Sequence, residues 1–390
     1  MIRSFLFLIS MLTRLLTMLL VGALALASVG HSSGFADQVR TVESVAPGVE
    51  LLSIKRGDFA EAAIGDRWMI QALTVDPKLA RLRLAQAMDE IAGAETTSSM
   101  AQRHGALAAI NGGYFRTTGI VRGEPIGALT IGGKLLSEPV NNRAALAVFD
   151  DGKQVRAAVT HLTVTAELHV DGKAIRAING FNRPREKDEL VVFTPEFHRT
   201  TLTAADGVEL IIEKNRVVKI ADGAGSSQIP ATGFVISAAG ASREWALKHL
   251  RQGSRLELKI ETKTEPPMSF QPDFILGAGP QLLAAGQKVF VAEASRYSDS
   301  LYRQRHPRTA IGWTADGKLI LLTVDGRQKF SVGMTMAELA DLMFELGCVE
   351  AMNLDGGGSS TMVVNRKIVN HPSDTTGERA VSDALLVYSR

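Results

Sequence analysis

Two-residue turn signals punctuate this chain between short apolar runs. Asp151-Gly152, Asp171-Gly172, Asp206-Gly207 and Asp316-Gly317 each separate alternating apolar segments, and Gly132-Gly133 and Asn365-Arg366 hold similar places. Such dipeptides supply the backbone angles that a tight hairpin requires. Residues 208–220 read as two strands about a turn at Lys214-Asn215, and residues 256–262 alternate apolar and charged, as a half-exposed strand does. A chain divided this way folds mainly into short hairpin-linked strands.

Helical signals are few. Residues 335–347 give the clearest one. Thr335 and Glu338 form a T-x-x-E capping box. Met336, Leu339, Ala340, Met343 and Leu346, with Leu342 flanking, line one face at helical spacing, and Gly347 is a natural stop. A second helix is expected from Ser98 or Ser99 to His104-Gly105, and a third over residues 242–250. There is no regular β-α-β alternation and no repeat of fixed period. The fold class expected is α+β, with mixed strand-rich sheets and a few helices.

The first 36 residues are of another kind. Arg3 and Arg14 are the only charges there, residues 15–29 form an apolar run, and small residues at 25–27 and 34–36 offer cleavage sites. This reads as a secretory signal peptide. The run is short for a membrane span, and an uncleaved anchor is the alternative. No cysteine lies nearby, which excludes a lipoprotein anchor. Cleavage after Ala36 takes the formal charge from +2 to 0. No basic tail or Lys/Arg run remains, so a nucleic-acid partner is excluded. Cys348 is the only cysteine, which rules out an intrachain disulfide and a thiolate metal site. It reads as a core residue. An exported chain without disulfides fits a bacterial periplasm or secretion, with no stable membrane span after cleavage. The organisation expected is a signal peptide over 1–36, a strand-rich lead-in over 37–96 and a main domain over 97–390. Residues 156–267 form a strand-rich insertion or lobe ending at Pro266-Pro267.

The stretch Asn353-Leu354-Asp355-Gly356-Gly357-Gly358-Ser359-Ser360-Thr361 follows an apolar run. Three consecutive glycines have no packing value and are entropically costly to order. They belong where the backbone turns sharply or approaches a ligand. Asp355 would sit at a strand end. Gly356, Gly357 and Gly358 would bare their N–H groups, with Ser359, Ser360 and Thr361 adding donors, as a cradle for an oxyanion or sugar phosphate. The bland reading is a tight turn capped by Asp355.

Four clusters accompany this motif. In Ala109-Ile110-Asn111-Gly112-Gly113-Tyr114-Phe115, Asn111 can both donate and accept, and an aromatic ring can stack on a sugar face. Gly277-Ala278-Gly279-Pro280 is no phosphate loop and reads as a turn before a strand. Arg308-Thr309-Ala310-Ile311-Gly312 and the later Asp325-Gly326-Arg327 would put Arg308 and Asp325 at one sheet end. Arg308 is suited to bidentate phosphate contact. The last cluster is Asn370-His371-Pro372-Ser373-Asp374 with Gly377 and Arg379.

In order and spacing these motifs resemble the phosphodiester glycosidase family. The resemblance spans residues 97–390, is strongest from Arg308 onward and is thin over 156–267. It implies hydrolysis of the bond between an anomeric carbon and a phosphate oxygen, with a phosphorylated glycan or sugar phosphodiester as substrate. A departing phosphate monoester, with a second pKa of about 6, needs less protonation than a sugar alkoxide does. The reaction then asks for a cationic grip on phosphate and a carboxylate near the sugar carbon. Arg308 and Arg379 are the candidates for the grip. Asp355 is the first candidate for catalytic carboxylate, Asp325 the second, and Asp374 a structural partner of Arg379. Asn111, Gly112, Tyr114, Asn353, Gly356, Gly357, Gly358, Ser359 and Ser360 are candidate substrate contacts. The seven histidines from His104 to His371 are scattered and read as surface or packing residues. No cofactor is firmly implied. Asp325 and Asp355 are candidate donors for Ca or Mg, which would shift the mechanism toward a metal phosphodiesterase. A phosphoglycan-binding or export accessory protein is the non-catalytic alternative.

Overall fold

Alternating apolar residues place both faces of the central strands in the core. In the strand Leu319–Val324, Leu319 and Leu321 enter one hydrophobic cluster while Ile320, Leu322 and Val324 enter another. Trp68–Val75 divides in the same way, with Leu73 and Val75 on one side and Ile70 and Ala72 on the other. The structure, a computed structural model, describes residues 38–59 and 65–390. The signal-peptide segment lies outside the described residues.

The largest sheet has eight strands. Their order is Gln38–Ala46, Val49–Arg56, Trp68–Val75, Leu319–Val324, Arg308–Thr314, Cys348–Asn353, Gln281–Ala284 and Gln287–Lys288. Every neighbouring pair in it is antiparallel. The described residues between Gln38 and Thr96 are therefore woven into the same sheets as the rest of the fold. Trp68–Val75 pairs with Leu319–Val324, and Ala80–Gln86 pairs with the closing strand Asp383–Ser389. A five-stranded sheet holds Ala108–Asn111 between Met362–Val364 and Asp383–Ser389. A seven-stranded sheet is built around the long strand Val155–Val170, which also pairs with Leu256–Glu265. The segment from Gly180 to Ala239 supplies a further five-stranded sheet, whose Leu190, Val192, Leu210 and Ile236 share a hydrophobic cluster with Ala145, Ala147, Leu162 and Ile275 of the seven-stranded sheet.

The helix Met336–Glu345 covers the outer face of the eight-stranded sheet. Its capping box is formed, with the Thr335 hydroxyl accepting from Glu338 N–H and the Glu338 carboxylate accepting from Thr335 N–H. Met336, Leu339, Ala340 and Met343 are buried against Ala310, Leu322 and Val324. Gly347 ends it with φ +86°. The other expected helices form at Thr97–Arg103 and Gly240–His249. The turns at residues 132–133, 151–152, 171–172, 214–215, 316–317 and 365–366 all join paired strands. Asp206-Gly207 does not. It opens the strand Gly207–Glu213, which pairs with Arg216–Asp222 and Gly233–Ala239. Gly207 serves close approach instead, since a Cβ there would lie 1.8 Å from Nη1 of Arg185.

Candidate active site

Strand pairing decides which motifs meet. Arg308 lies opposite Val324, and Ala310 lies opposite Asn353. The loops after Val324 and Asn353 therefore leave the same end of the sheet. Strand Ala108–Asn111 arrives from the second sheet, and the amide of Asn111 donates to Thr361 O at 3.3 Å.

Asn111 fastens these pieces together. It is wholly buried. Its Nδ2 donates to Asp355 O at 2.7 Å, and its Oδ1 accepts from Thr309 Oγ1 at 2.8 Å and from Thr361 N–H at 3.1 Å. These bonds commit the side chain to the protein interior. Asn353 is committed too, its Nδ2 donating to Tyr114 Oη, Gly279 O and Leu354 O. The Tyr114 hydroxyl donates in turn to Gly279 O at 2.6 Å. Its ring carries the Arg143 guanidinium, 5.6 Å from the centroid, and lies 6.2 Å from the ring of Tyr297. Burial pushes the Tyr114 phenol up, and the charge of Asp355 adds to that.

The carboxyl of Asp355 is set apart by its burial. Burial of its carboxyl pushes the pKa up to about 6. A hydrogen bond from Ser359, the charge of Arg379 and the Gly356 N–H oppose that rise, while the charge of Asp383 adds to it. The Gly356 N–H donates to Oδ1 at 2.9 Å. Arg379 grips Asp374 in a bidentate pair at 2.7 and 2.9 Å and reaches Ser359 Oγ at 3.5 Å. Ser359 thus stands between the Asp355 carboxylate and the Arg379 guanidinium.

The glycine loop is tighter than a row of bare amides. Gly357 donates to Pro307 O, Ser359 to Gly356 O, Ser360 to Gly357 O and Thr361 to the Asn111 side chain. The expected anion cradle therefore keeps little of its backbone donor set. The glycines serve close approach. A Cβ at Gly356 would lie 2.7 Å from Pro307 O, and one at Gly358 would lie 2.1 Å from Asp374 Oδ1. Gly357 has φ +63°, and a Cβ there would lie 3.1 Å from Nη2 of Arg327.

Arg308 is placed differently from the phosphate grip expected of it. Its side chain is 1% exposed. Nε donates to Met334 O, and Nη2 donates to Leu301 O and Gln304 O. The last two carbonyls belong to the end of the helix Asp299–Arg303, where a cation is favoured. Arg327 occupies the more accessible position. It is exposed, its Nη2 meets His306 Nδ1 at 3.1 Å, and no carboxylate pairs with it among the described residues. Burial, and then the charges of Arg308 and Arg327, push the His306 pKa down.

Two acids flank the loop from other elements. Asp383 is buried at the start of the closing strand, its Oδ1 accepting from Gly113 N–H at 2.8 Å and its Oδ2 from Ser382 Oγ at 2.8 Å. Gly112 joins it to Asp355: Gly112 N–H donates to Asp383 O and Gly112 O accepts from Asp355 N–H. Sequence reasoning missed Asp383. The available signal was a carboxylate heading an otherwise apolar strand. Asp325 is 2% exposed and accepts from Asn370 Nδ2, His371 N–H and His371 Nδ1. His371, named in the last sequence cluster and read there as a surface or packing residue, instead meets this carboxylate, a pairing that its spacing in sequence does not signal.

These contacts also bear on a site shared by Asp325 and Asp355. Asp325 spends both oxygens on three donors, and no group of three His, Cys, Asp or Glu among the described residues is arranged to hold a metal ion. Asp325 and Asp355 therefore do not fit a shared Ca or Mg site.

The sequence profile of the phosphodiester glycosidase family matches residues 206–388. Over 83 residues the chain is 47% identical to a prophage-derived uncharacterised protein of Bacillus subtilis (strain 168), covering 21% of this chain and 13% of that protein. Over 67 residues it is 43% identical to N-acetylglucosamine-1-phosphodiester alpha-N-acetylglucosaminidase of Bos taurus, covering 17% of this chain and 12% of that enzyme. The matched segments thus span about an eighth of these relatives' own length. A crystal structure from Burkholderia pseudomallei K96243, named as a candidate exported protein, superposes with TM-score 0.79 at 26% identity, covering 91% of this chain and 97% of that one. Residues 206–388, which carry Arg308, Asp325, Asp355 and Arg379, are thus similar to the phosphodiester glycosidase family.

Proposed function

We propose that this protein is an exported hydrolase that cleaves the glycosyl–phosphate bond of a sugar-1-phosphodiester in a bacterial envelope or exopolysaccharide glycan. The observation that carries the reading is Asp355. It heads the glycine loop with a desolvated carboxyl titrating near 6, and Ser359 links it to Arg379. A carboxylate poised there is ionised at neutral pH yet basic enough to accept a proton from water or to attack the sugar carbon. Arg327, which has no carboxylate partner among the described residues, supplies the accessible cation for the phosphate. Arg379 steadies the carboxylate through Ser359, while burial raises its affinity for protons and the charge of Asp383 adds to that. Export rests on the N-terminal segment. No helix among the described residues is long and apolar enough to cross a membrane.

The test is hydrolysis of a panel of sugar-1-phosphodiesters, UDP-N-acetylglucosamine included, in water enriched in oxygen-18. Release of reducing sugar carrying the label, abolished in Asp355→Asn, supports the reading. Label in the phosphate instead would mean P–O cleavage and would overturn it. No release by folded protein that still binds phosphorylated glycan would favour an accessory binding role.

A further inference from the structure

His371 stands out among the groups that the mechanism above leaves unused. Its ring is half exposed, with a side-chain exposure of 53%, whereas the carboxylate behind it is 2% exposed. Nδ1 lies 2.8 Å from Asp325 Oδ2, and the backbone N–H of the same residue donates to Oδ1 at 2.9 Å. Asn370 Nδ2 fills a third position on that carboxylate at 3.2 Å. The ring is further fixed edge-on against Phe330, with centroids 5.1 Å apart. Two contacts already anchor the loop to Asp325 without the imidazole, so the ring's bond adds orientation. With Nδ1 held, Nε2 is the nitrogen turned away from the carboxylate, as in a base whose partner fixes its tautomer.

The loop that carries His371 also runs beside the glycine loop. Asn370 Nδ2 donates to Ser360 O at 2.9 Å, Asn370 Oδ1 accepts from Met362 N–H at 2.7 Å, and Asp374 with Arg379 lies over Gly358. From the other side Asp325 is two residues from Arg327, whose guanidinium borders Gly357. The dyad and the accessible cation therefore share one rim of the loop headed by Asp355. Gln328 ties that rim down, its Nε2 donating to His371 O and Pro372 O.

We propose that His371 is a proton carrier for the departing phosphate, with Asp325 as the positioning residue that holds its ring. This rests on the glycosidase reading above. His371 enters the step as imidazolium, with Nδ1–H on Asp325 Oδ2 and a second proton on Nε2. When the bond from C1 to the phosphate oxygen breaks, its electron pair stays on that oxygen, which takes the Nε2 proton and leaves the ring neutral. The oxygen of water ends on C1 as the sugar hydroxyl. The proton that water loses passes through Asp355 to solvent, and His371 recovers a proton from solvent. One water is consumed and one phosphate monoester is released, so atoms and charge balance. A departing phosphate with a second pKa of about 6 can be served by an acid that exchanges protons near neutrality, and imidazole is the side chain that does so.

The test uses two substitutions in the full chain, assayed on a sugar-1-phosphodiester that the wild type hydrolyses. His371→Asn places an amide nitrogen where Nδ1 was, so it keeps a donor to Asp325 and loses Nε2. His371→Gln places an amide near the position of Nε2, where it can touch phosphate but cannot transfer a proton. Both are expected to lower kcat about 100-fold, with KM within threefold and the urea midpoint unchanged. A folded variant of either kind that keeps kcat within threefold of wild type overturns the dyad and leaves the role of Asp355 standing. A rise in KM alone shows an anion contact and also overturns it. If the wild type releases no reducing sugar from any phosphodiester, the glycosidase reading fails first and the dyad falls with it.

Discussion

Asn111 Oδ1 accepts the Thr309 hydroxyl at 2.8 Å across 198 residues of chain, and that bond joins the two sheets beneath the candidate active site. Through Nδ2 the same side chain holds Asp355 O. The backbone of Asp355, the candidate catalytic carboxylate, is therefore held by a side chain from the second sheet. A group whose backbone is held this way loses little orientational freedom when a ligand binds.

Replacing Asn111 by Ala tests that anchoring. It would remove three buried hydrogen bonds and leave Thr309 Oγ1, Thr361 N–H and Asp355 O to find other partners. Stranded buried polar groups cost about 1–3 kcal/mol each, and partial relaxation brings the expected loss to about 3 kcal/mol. Urea denaturation should show the midpoint falling, and kcat should fall with it even at temperatures where the variant remains folded.

Asp355→Asn should separate activity from stability. Burial raises the folded pKa from 3.8 to about 6. Between those values the folded state binds more protons than the unfolded state. Stability contributed by this group is therefore lost as pH rises from about 4 through 6. The Asn variant escapes that loss. It should unfold at higher denaturant than wild type at pH 8, by about 1–3 kcal/mol, and the advantage should shrink to nothing near pH 4. A variant less stable than wild type at pH 8 would contradict the desolvated carboxyl. Reducing-sugar release should fall by 100-fold or more at every pH.

The frame of the fold was legible in the sequence where local chemistry is strong. The T-x-x-E box at Thr335 and the turns at Lys214-Asn215 and Asp316-Gly317 each act within a few residues, and each appears in the structure. Asp206-Gly207 misled because a glycine that admits Arg185 looks identical in sequence to one that turns a hairpin. The site was legible as a set of motifs but not as a division of labour. Nothing near Arg308 in sequence reveals that the carbonyls of Leu301, Gln304 and Met334 absorb its guanidinium. Likewise the partnership of Asp325 with His371 spans 46 residues and depends on sheets closing together.

Gly358→Ala is expected to act at a distance of one contact. The new methyl would fall 2.1 Å from Asp374 Oδ1 and 2.2 Å from Arg379 Nη2, inside van der Waals limits. The bidentate pair would have to open or the loop would have to shift, at a cost of about 1–3 kcal/mol. Moving Arg379 withdraws the positive charge that opposes the rise in the Asp355 pKa. The acidic limb of the kcat profile should therefore move to higher pH. A profile unchanged in position, with lower stability, would mean that Arg379 does not act on the carboxylate.

Arg327→Gln addresses recognition of the phosphate. The side chain is exposed and makes its polar contact with His306 Nδ1 at 3.1 Å, so its removal should leave the urea midpoint within about 0.5 kcal/mol of wild type. A charged hydrogen bond to phosphate is worth about 1.5–3 kcal/mol, which corresponds to a KM increase of roughly 10- to 100-fold. Part of the wild-type contact is screened by salt. The ratio of variant to wild-type KM should therefore narrow between low and high ionic strength. The removal also lifts one of the charges that push the His306 pKa down, so that imidazole should titrate at higher pH in the variant, visible in its proton NMR shift. A KM unchanged by the substitution at low salt would remove Arg327 from the phosphate contact and turn attention to Arg379, a cation beside the loop already engaged with Asp374.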